Sequence, residues 1–260
     1  MRKLLIALIA VCLFILVNSS KASTNFLRAD TTHEVDGNIK EWNDSSFTKD
    51  AATNISYAVA NTNTHLYVAL KCDGIFIQAK FMQLGMQMYI NEKGKHRQST
   101  GIGFPIRDEN MQSLKPGETP DMRPLKQKFV LNLLSMNLFG FDGTDDKKQG
   151  LSIEGSVNIA YSWDDANTMY IEYSIPLTYI NSNVASLNGK SIAIGWKVNG
   201  VESITSNTSS LVVVSNNGGR GGSRGGSRSP LPPSYSNNTN TSANSMMKEQ
   251  IIWSKYDIKF

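Results

Sequence analysis

Cysteine is nearly absent from this 260-residue chain, which has only Cys12 and Cys72. Cys12 falls in an N-terminal leader, so Cys72 stands alone and no intramolecular disulfide can form. A domain without such staples must be held by its core, and a chain of this length can bury one as a single all-β unit. Histidine is just as scarce. His33, His65 and His96 lie far apart, and none belongs to a zinc-binding helix motif. The sequence contains neither a Gly-x-Ser-x-Gly elbow nor a phosphate-binding loop. The adjacent carboxylates Asp145-Asp146 and Asp164-Asp165 occupy turns, where Asp bonds nearby backbone. Carboxylates paired across strands are a catalytic arrangement that sequence spacing does not exclude. With no motif pointing to catalysis, the chain reads as a non-enzyme.

A run long enough to span a bilayer is also missing. The uninterrupted apolar stretch 4–17 is shorter than the ~20 residues a spanning helix needs. Arg2 and Lys3 precede it, and Ser20-Lys21-Ala22 follows with small residues where a signal peptidase reads. The expectation is a cleaved signal peptide, residues 1–22, and a mature start at Ser23 in the periplasm, on the cell surface or outside the cell. A membrane anchor is the alternative. A lipid-bearing Cys12 fits poorly, because bulky Val11 precedes it.

One-sided charge is lacking too. The formal charge of +4 includes Arg2, Lys3 and Lys21, so the mature chain is close to neutral. Arg220, Arg224 and Arg228 share one low-complexity stretch, and the rest is slightly acidic. No broad basic field remains to attract nucleic acid or an anionic membrane.

What the sequence does have is alternation with the period of a half-buried strand. Ile55, Tyr57 and Val59 share one face. After the turn at 61–64, Leu66, Val68, Leu70 and Cys72 resume it, which predicts a hairpin. Residues 151–161 alternate through Ile153, Val157 and Ile159, and a turn at 164–167 leads into Met169, Ile171, Tyr173 and Ile175. Ile192, Ile194, Trp196 and Val198 line another face, 211–214 reads as a short strand, and Ile252, Tyr256, Ile258 and Phe260 line the last. Helical spacing predicts a short helix over 75–84, ahead of a Met86, Met88, Ile90 strand. A second is expected within 123–141 through Leu125, Phe129, Leu133 and Met136. Many short strands with polar turns predict a β-sandwich with one or two short helices. Its expected extent is residues 23–215 and 246–260.

Residues 216–245, rich in Gly, Ser, Arg and Asn, bury too little apolar surface to offset their ordering entropy. They read as a flexible internal loop before the last strand. The sharper alternative, an RGG-type nucleic-acid arm, has three arginines and only Tyr235 as an aromatic partner.

Val35-Asp36-Gly37-Asn38-Ile39-Lys40-Glu41-Trp42 resembles the opening of family 9 carbohydrate-binding modules and the related DOMON-like domains. His65-Leu66-Tyr67-Val68-Ala69-Leu70 is similar to the family's second strand. Tyr170-Ile171-Glu172-Tyr173-Ser174-Ile175-Pro176-Leu177 is similar to a later one, in the family's order. The variety most similar is that of exported Bacteroidota proteins with a Gly/Arg-rich loop before the last strand. The resemblance implies a jelly-roll-like sandwich that binds a glycan between aromatic side chains, without a catalytic cofactor and with calcium as an optional structural ion. The family's clamp positions have no residue-by-residue match here. Physics adds that Asp36-Gly37 is a turn pair and that Trp42 suits a plug at one end of the sandwich.

A flat polar ligand such as a sugar needs aromatic faces with polar neighbours. Trp196 shares its face with Ile192 and Ile194 and belongs to the core. Trp253 has the opposite parity to Ile252 and Tyr256, and Tyr67 and Tyr170 also fall on polar faces. Trp163 abuts the Asp164-Asp165 turn. These four are the candidate ligand-binding residues, with structural cover as the competing role of each. Two other functions remain open: docking on another envelope protein, and haem binding of the DOMON kind through His65 with Met82, Met86 or Met88. For the methionines, core filling competes with ligation.

Overall fold

The computed structural model describes residues 33–106, 119–132, 135–142, 146–200 and 248–260. Residues 1–22, expected to form a signal peptide, the stretch 211–214 and the Gly/Arg-rich segment 216–245 lie outside the described residues, as do Asp145 and Leu133. Among the described residues no helix is long and apolar enough to cross a membrane.

The alternating segments form two antiparallel sheets. One has five strands, in the order β1 (Thr48–Lys49), β2 (Ile55–Asn61), β3 (His65–Cys72), β9 (Met169–Pro176), β8 (Asn158–Trp163). The other has six: β11 (Gln250–Asp257), β10 (Ser191–Val198), β4 (Met86–Asn91), β5 (Gly101–Gly103), β6 (Ser135–Phe139), β7 (Lys147–Gly150). Because side chains alternate across a strand, each sheet turns one apolar set inward. Leu66, Val68 and Leu70 of β3 and Ile171, Tyr173 and Ile175 of β9 meet Met86, Met88 and Ile90 of β4 and Ile192, Ile194 and Trp196 of β10, all buried. The β-sandwich expected from the alternation is the fold that forms.

One end of the core is closed by α1 (Ile75–Leu84), at the bounds its spacing predicts, and by α2 (Met122–Asn132). Phe129 of α2 packs on Phe81 of α1 and on Phe104, Tyr161 and Trp163. The second helix stops earlier than expected. Met136 belongs to β6, where it and Leu138 point inward, because spacing of three and four does not distinguish a helix from a helix followed by a strand. The alternation over 151–161 is only partly realised: the strand begins at Asn158, and Ile153 is exposed. Phe260 is exposed as well, although Ile258 beside it is buried.

Residues 33–47 cross the outer face of the five-stranded sheet. Trp42 there packs with Ala58, Ala60, Tyr67 and Ala69, supported by Val35, Ile39 and Phe47. It therefore covers a sheet face and does not plug an end. Its indole Nε1 donates to Glu172 Oε1 at 2.8 Å, while the Gly37 backbone N–H donates to Glu172 Oε2 at 2.9 Å. Gly37 sits at φ +85° with its Cα pressed on β8, where a Cβ would lie 2.8 Å from the Tyr161 carbonyl carbon. Only glycine fits there. The opening motif and the Glu of the β9 motif thus satisfy one another's buried polar groups.

Candidate ligand-binding face

Four residues were expected to present rings to a ligand, and the two sheets separate them. Tyr67 has the outward parity expected but is buried, at 3% exposure, beneath Trp42 and 5.3 Å from the His33 ring. It is removed as a platform because residues 33–47 lie over it. Tyr170 stays half-exposed on the same face. Its hydroxyl donates to Asp164 Oδ2 at 2.7 Å, and Lys71 Nζ lies 6.0 Å from its ring. Burial, helped by the Asp164 contact, pushes the Tyr170 phenol up to about 12.

Trp163 faces inward. Its Nε1 donates to Gln78 Oε1 at 3.1 Å, its ring meets Phe129 and Tyr161 edge-on, and Lys126 Nζ covers it at 4.8 Å. Gln78 Nε2 in turn donates to the carbonyls of Cys72 and Asn167, so Trp163 helps to close the end of the core. Proximity to the acidic turn suggested an edge ring, but the β8–β9 register places Trp163 opposite Met169, whose side chain is in the core.

Trp253 remains, on the outer face of the six-stranded sheet. Strand pairing puts it in a single row across that sheet. Trp253 opposes Gly195, Gly195 opposes Tyr89, Tyr89 opposes Gly101, and Gly101 opposes Phe139. Aromatic and glycine alternate along the row, and the Trp253 and Phe139 rings each lean over a neighbour that lacks a side chain. A Cβ on Gly195 would lie 2.7 Å from two atoms of the Trp253 ring, and one on Gly101 would lie 2.1 Å from the Met88 carbonyl oxygen and 3.0 Å from Phe139 Cζ. The rings form a continuous strip. Tyr89 is 6.1 Å from Trp253 at 21° and 6.0 Å from Phe139 at 74°. His96 stacks on Trp253 at 4.8 Å and 3°. Tyr89 is buried between its neighbours, whereas Trp253 and Phe139 are half-exposed and His96 is exposed.

Polar side chains flank this strip on both sides. The next row in one direction runs Ile251, Lys197, Gln87, Gly103, Asn137 and Lys148, polar apart from the exposed Ile251 and the glycine, and in the other direction it runs Lys255, Ala193 and Asn91. The Tyr89 hydroxyl donates to Gln87 Oε1 at 2.5 Å, and Lys197 pairs with Glu249 at 3.0 Å. Burial, then the nearby Glu249 charge, pushes the Tyr89 phenol up to about 12, which keeps it a neutral donor. Beyond Asn91, the loop 92–100 carries His96 and also borders a cleft of about 270 Å³ lined by Lys95, Arg97, Ser99, Thr100, Asp142 and Tyr179.

Sequence reasoning missed Tyr89, Phe139, His96 and Gly195. Glycines inside strands were the signal that could have found them, since such a glycine marks a close approach.

The haem set does not converge. His65 lies on the outer face of the five-stranded sheet, its Nδ1 2.9 Å from Thr64 Oγ1. Met82, Met86 and Met88 are buried in the core, the last two on the inner face of the other sheet. Among the described residues no group of three His, Cys, Asp or Glu side chains is placed to hold a metal ion.

No family model and no curated protein matches the chain. Among solved structures it is similar to a carbohydrate-binding module of family 9 from Caldicellulosiruptor kristjanssonii in complex with glucose. The identity is 11%, the TM-score 0.31, and the overlap covers 65% of this chain and 74% of that one. So loose an overlap leaves the function to be argued from the chain's own strands and side chains.

Proposed function

We propose that this is an exported, non-catalytic carbohydrate-binding domain whose ligand lies on the outer face of the six-stranded sheet, against Trp253. The observation that carries the reading is the strip of Trp253, Tyr89 and Phe139, held over Gly195 and Gly101 and flanked by amide and ammonium side chains. Sugar rings present apolar C–H faces that stack on indole and phenyl surfaces, here by displacing the exposed His96 ring from Trp253, and their hydroxyls take hydrogen bonds from groups such as Gln87, Asn137 and Lys255. Sitting on paired strands over Gly195, the Trp253 ring itself is positioned before a ligand arrives, so the ordering cost falls on the loop that carries His96. The leader 1–22 supports export, where glycans are met.

A broad glycan array followed by calorimetry tests the proposal. The wild-type chain should retain at least one glycan, and Trp253→Ala should weaken that binding by about 1–3 kcal/mol, as for an anchor residue. The product recovered after long incubation should be the unaltered glycan. A chain that binds nothing on the array refutes the proposal and favours docking on another envelope protein.

A further inference from the structure

We infer that the glycan is anionic, with uronate or sulfate groups held by the basic loop 92–100 beside the aromatic strip. This rests on the carbohydrate-binding reading above and narrows it to a substrate class. Glu92-Lys93-Gly94-Lys95-His96-Arg97 places three cations within five residues, in a folded part that is otherwise slightly acidic. The acids near this face are largely engaged. Glu92 accepts from the Asn181 amide at 2.5 Å and lies 3.9 Å from Lys93, and Glu249 pairs with Lys197. Asp142 and Asp257 remain, one in the cleft wall and one on the outer face of β11.

Lys95, Arg97 and Lys255 make no ion pair with another described side chain, and all three are exposed. Their placement is specific. Lys95 and Arg97 flank His96, whose ring stacks on Trp253, and both line the cleft that the loop shares with Asp142, Tyr179 and Ile180. Lys255 follows Trp253 by two residues and shares its face. Lys255 thus borders a sugar ring on Trp253, and a glycan that continues from the strip past His96 into the cleft meets Lys95 and Arg97. A guanidinium presents a planar fork that matches a carboxylate or a sulfate, and an ammonium adds a point charge. Neutral glycans leave these cations with water alone.

Single-stranded nucleic acid would also join stacking to phosphate contacts. The glycan is favoured because the strip is one row of rings pinned to a sheet and Tyr89, its central ring, is buried, so successive bases find no series of free faces.

The full chain is titrated with an oligogalacturonate, a chondroitin sulfate oligosaccharide, a neutral cello-oligosaccharide of equal length and a single-stranded DNA oligonucleotide, each at low and high salt. At least one acidic glycan should bind about tenfold or more tighter than the neutral one, with the advantage shrinking as salt screens exposed charge. Whether the uronate or the sulfated ligand wins assigns the anion. The double variant Lys95→Ala/Arg97→Ala, whose exposed side chains leave the core intact, should lose that advantage and keep its neutral-glycan affinity. Equal wild-type affinity for acidic and neutral glycans overturns the inference and leaves the carbohydrate-binding reading standing, as does tighter acidic binding that the double variant retains. Tighter binding of the DNA than of either acidic glycan overturns the inference in favour of a nucleic-acid ligand. Failure of every glycan overturns both.

Discussion

The two outer faces of the sandwich start from similar material and end differently. On the five-stranded sheet, Tyr67, Ala69 and Glu172 point outward but are buried, because residues 33–47 lie across them and Trp42 fills the space over the alanines. On the six-stranded sheet, Trp253, Tyr89 and Phe139 also point outward, and the half-exposed rings of Trp253 and Phe139 lean over glycines. One face is closed by small residues that admit a covering tryptophan. The other leans its own aromatics over the gaps. Small residues in strands therefore serve both designs, and what crosses them decides whether a face is core or surface.

The largest expected effect lies on the closed face. Trp42→Ala leaves a cavity over Ala58, Ala60 and Ala69 and strips a donor from Glu172, so it should cost about 3–5 kcal/mol of unfolding free energy in urea. Glycan affinity of the remaining folded protein should not change, because Trp42 and Trp253 lie on different sheets. Comparable loss of stability and of affinity would join the two faces and break the contrast.

Glu172 sets the next effect. Burial pushes its carboxyl from 4.5 up to about 7, against the pull of the Trp42 and Gly37 donors and with help from the Glu41 and Asp36 charges. A raised carboxyl binds its proton more tightly folded than unfolded. Its contribution is thus full below about pH 4.5 and lost as pH rises through about 7. The loss should reach about 1–3 kcal/mol across that window. Glu172→Gln, which cannot titrate, should flatten this part of the stability-against-pH curve. An unchanged slope would mean that the carboxylate is better solvated than its burial implies.

The smallest effect is the sharpest for the open face. Gly195→Ala keeps Trp253 but pushes its ring off the strand, since the new methyl would lie 2.7 Å from ring atoms. Stability should fall by about 1 kcal/mol, and glycan affinity should fall with Trp253 still present. Retained affinity would mean that the seat of the ring over Gly195 is irrelevant to binding.

Most of the fold could be read from period-two alternation, because β2, β3, β9, β10 and β11 each turn one large apolar set toward the core. The short helix Ile75–Leu84 was legible from the helical spacing of Ile77, Phe81 and Leu84. Parity also put Trp253, Tyr67 and Tyr170 outward. It could not say what lies beyond a face. Tyr67 is closed by Trp42, a residue 25 positions upstream, and no local pattern encodes that docking. The row from Trp253 to Phe139 depends on four strand registers, of which the strands taken singly carry only the glycines Gly195 and Gly101 as a mark. Trp163 was misread because its polar sequence neighbours form a turn while its own side chain follows Ile159 and Tyr161 inward.

The four tryptophans Trp42, Trp163, Trp196 and Trp253 give the most direct test. Their indole N–H signals are resolved by nitrogen-15 NMR and assigned by single Trp→Phe replacements, and a glycan that binds is titrated in. Trp42 and Trp196 are buried, and Trp163 is tied to Gln78, so these three should stay nearly still while Trp253 shifts with ligand occupancy. A titration that moves Trp42 or Trp163 and leaves Trp253 in place would contradict the assignment of the binding face.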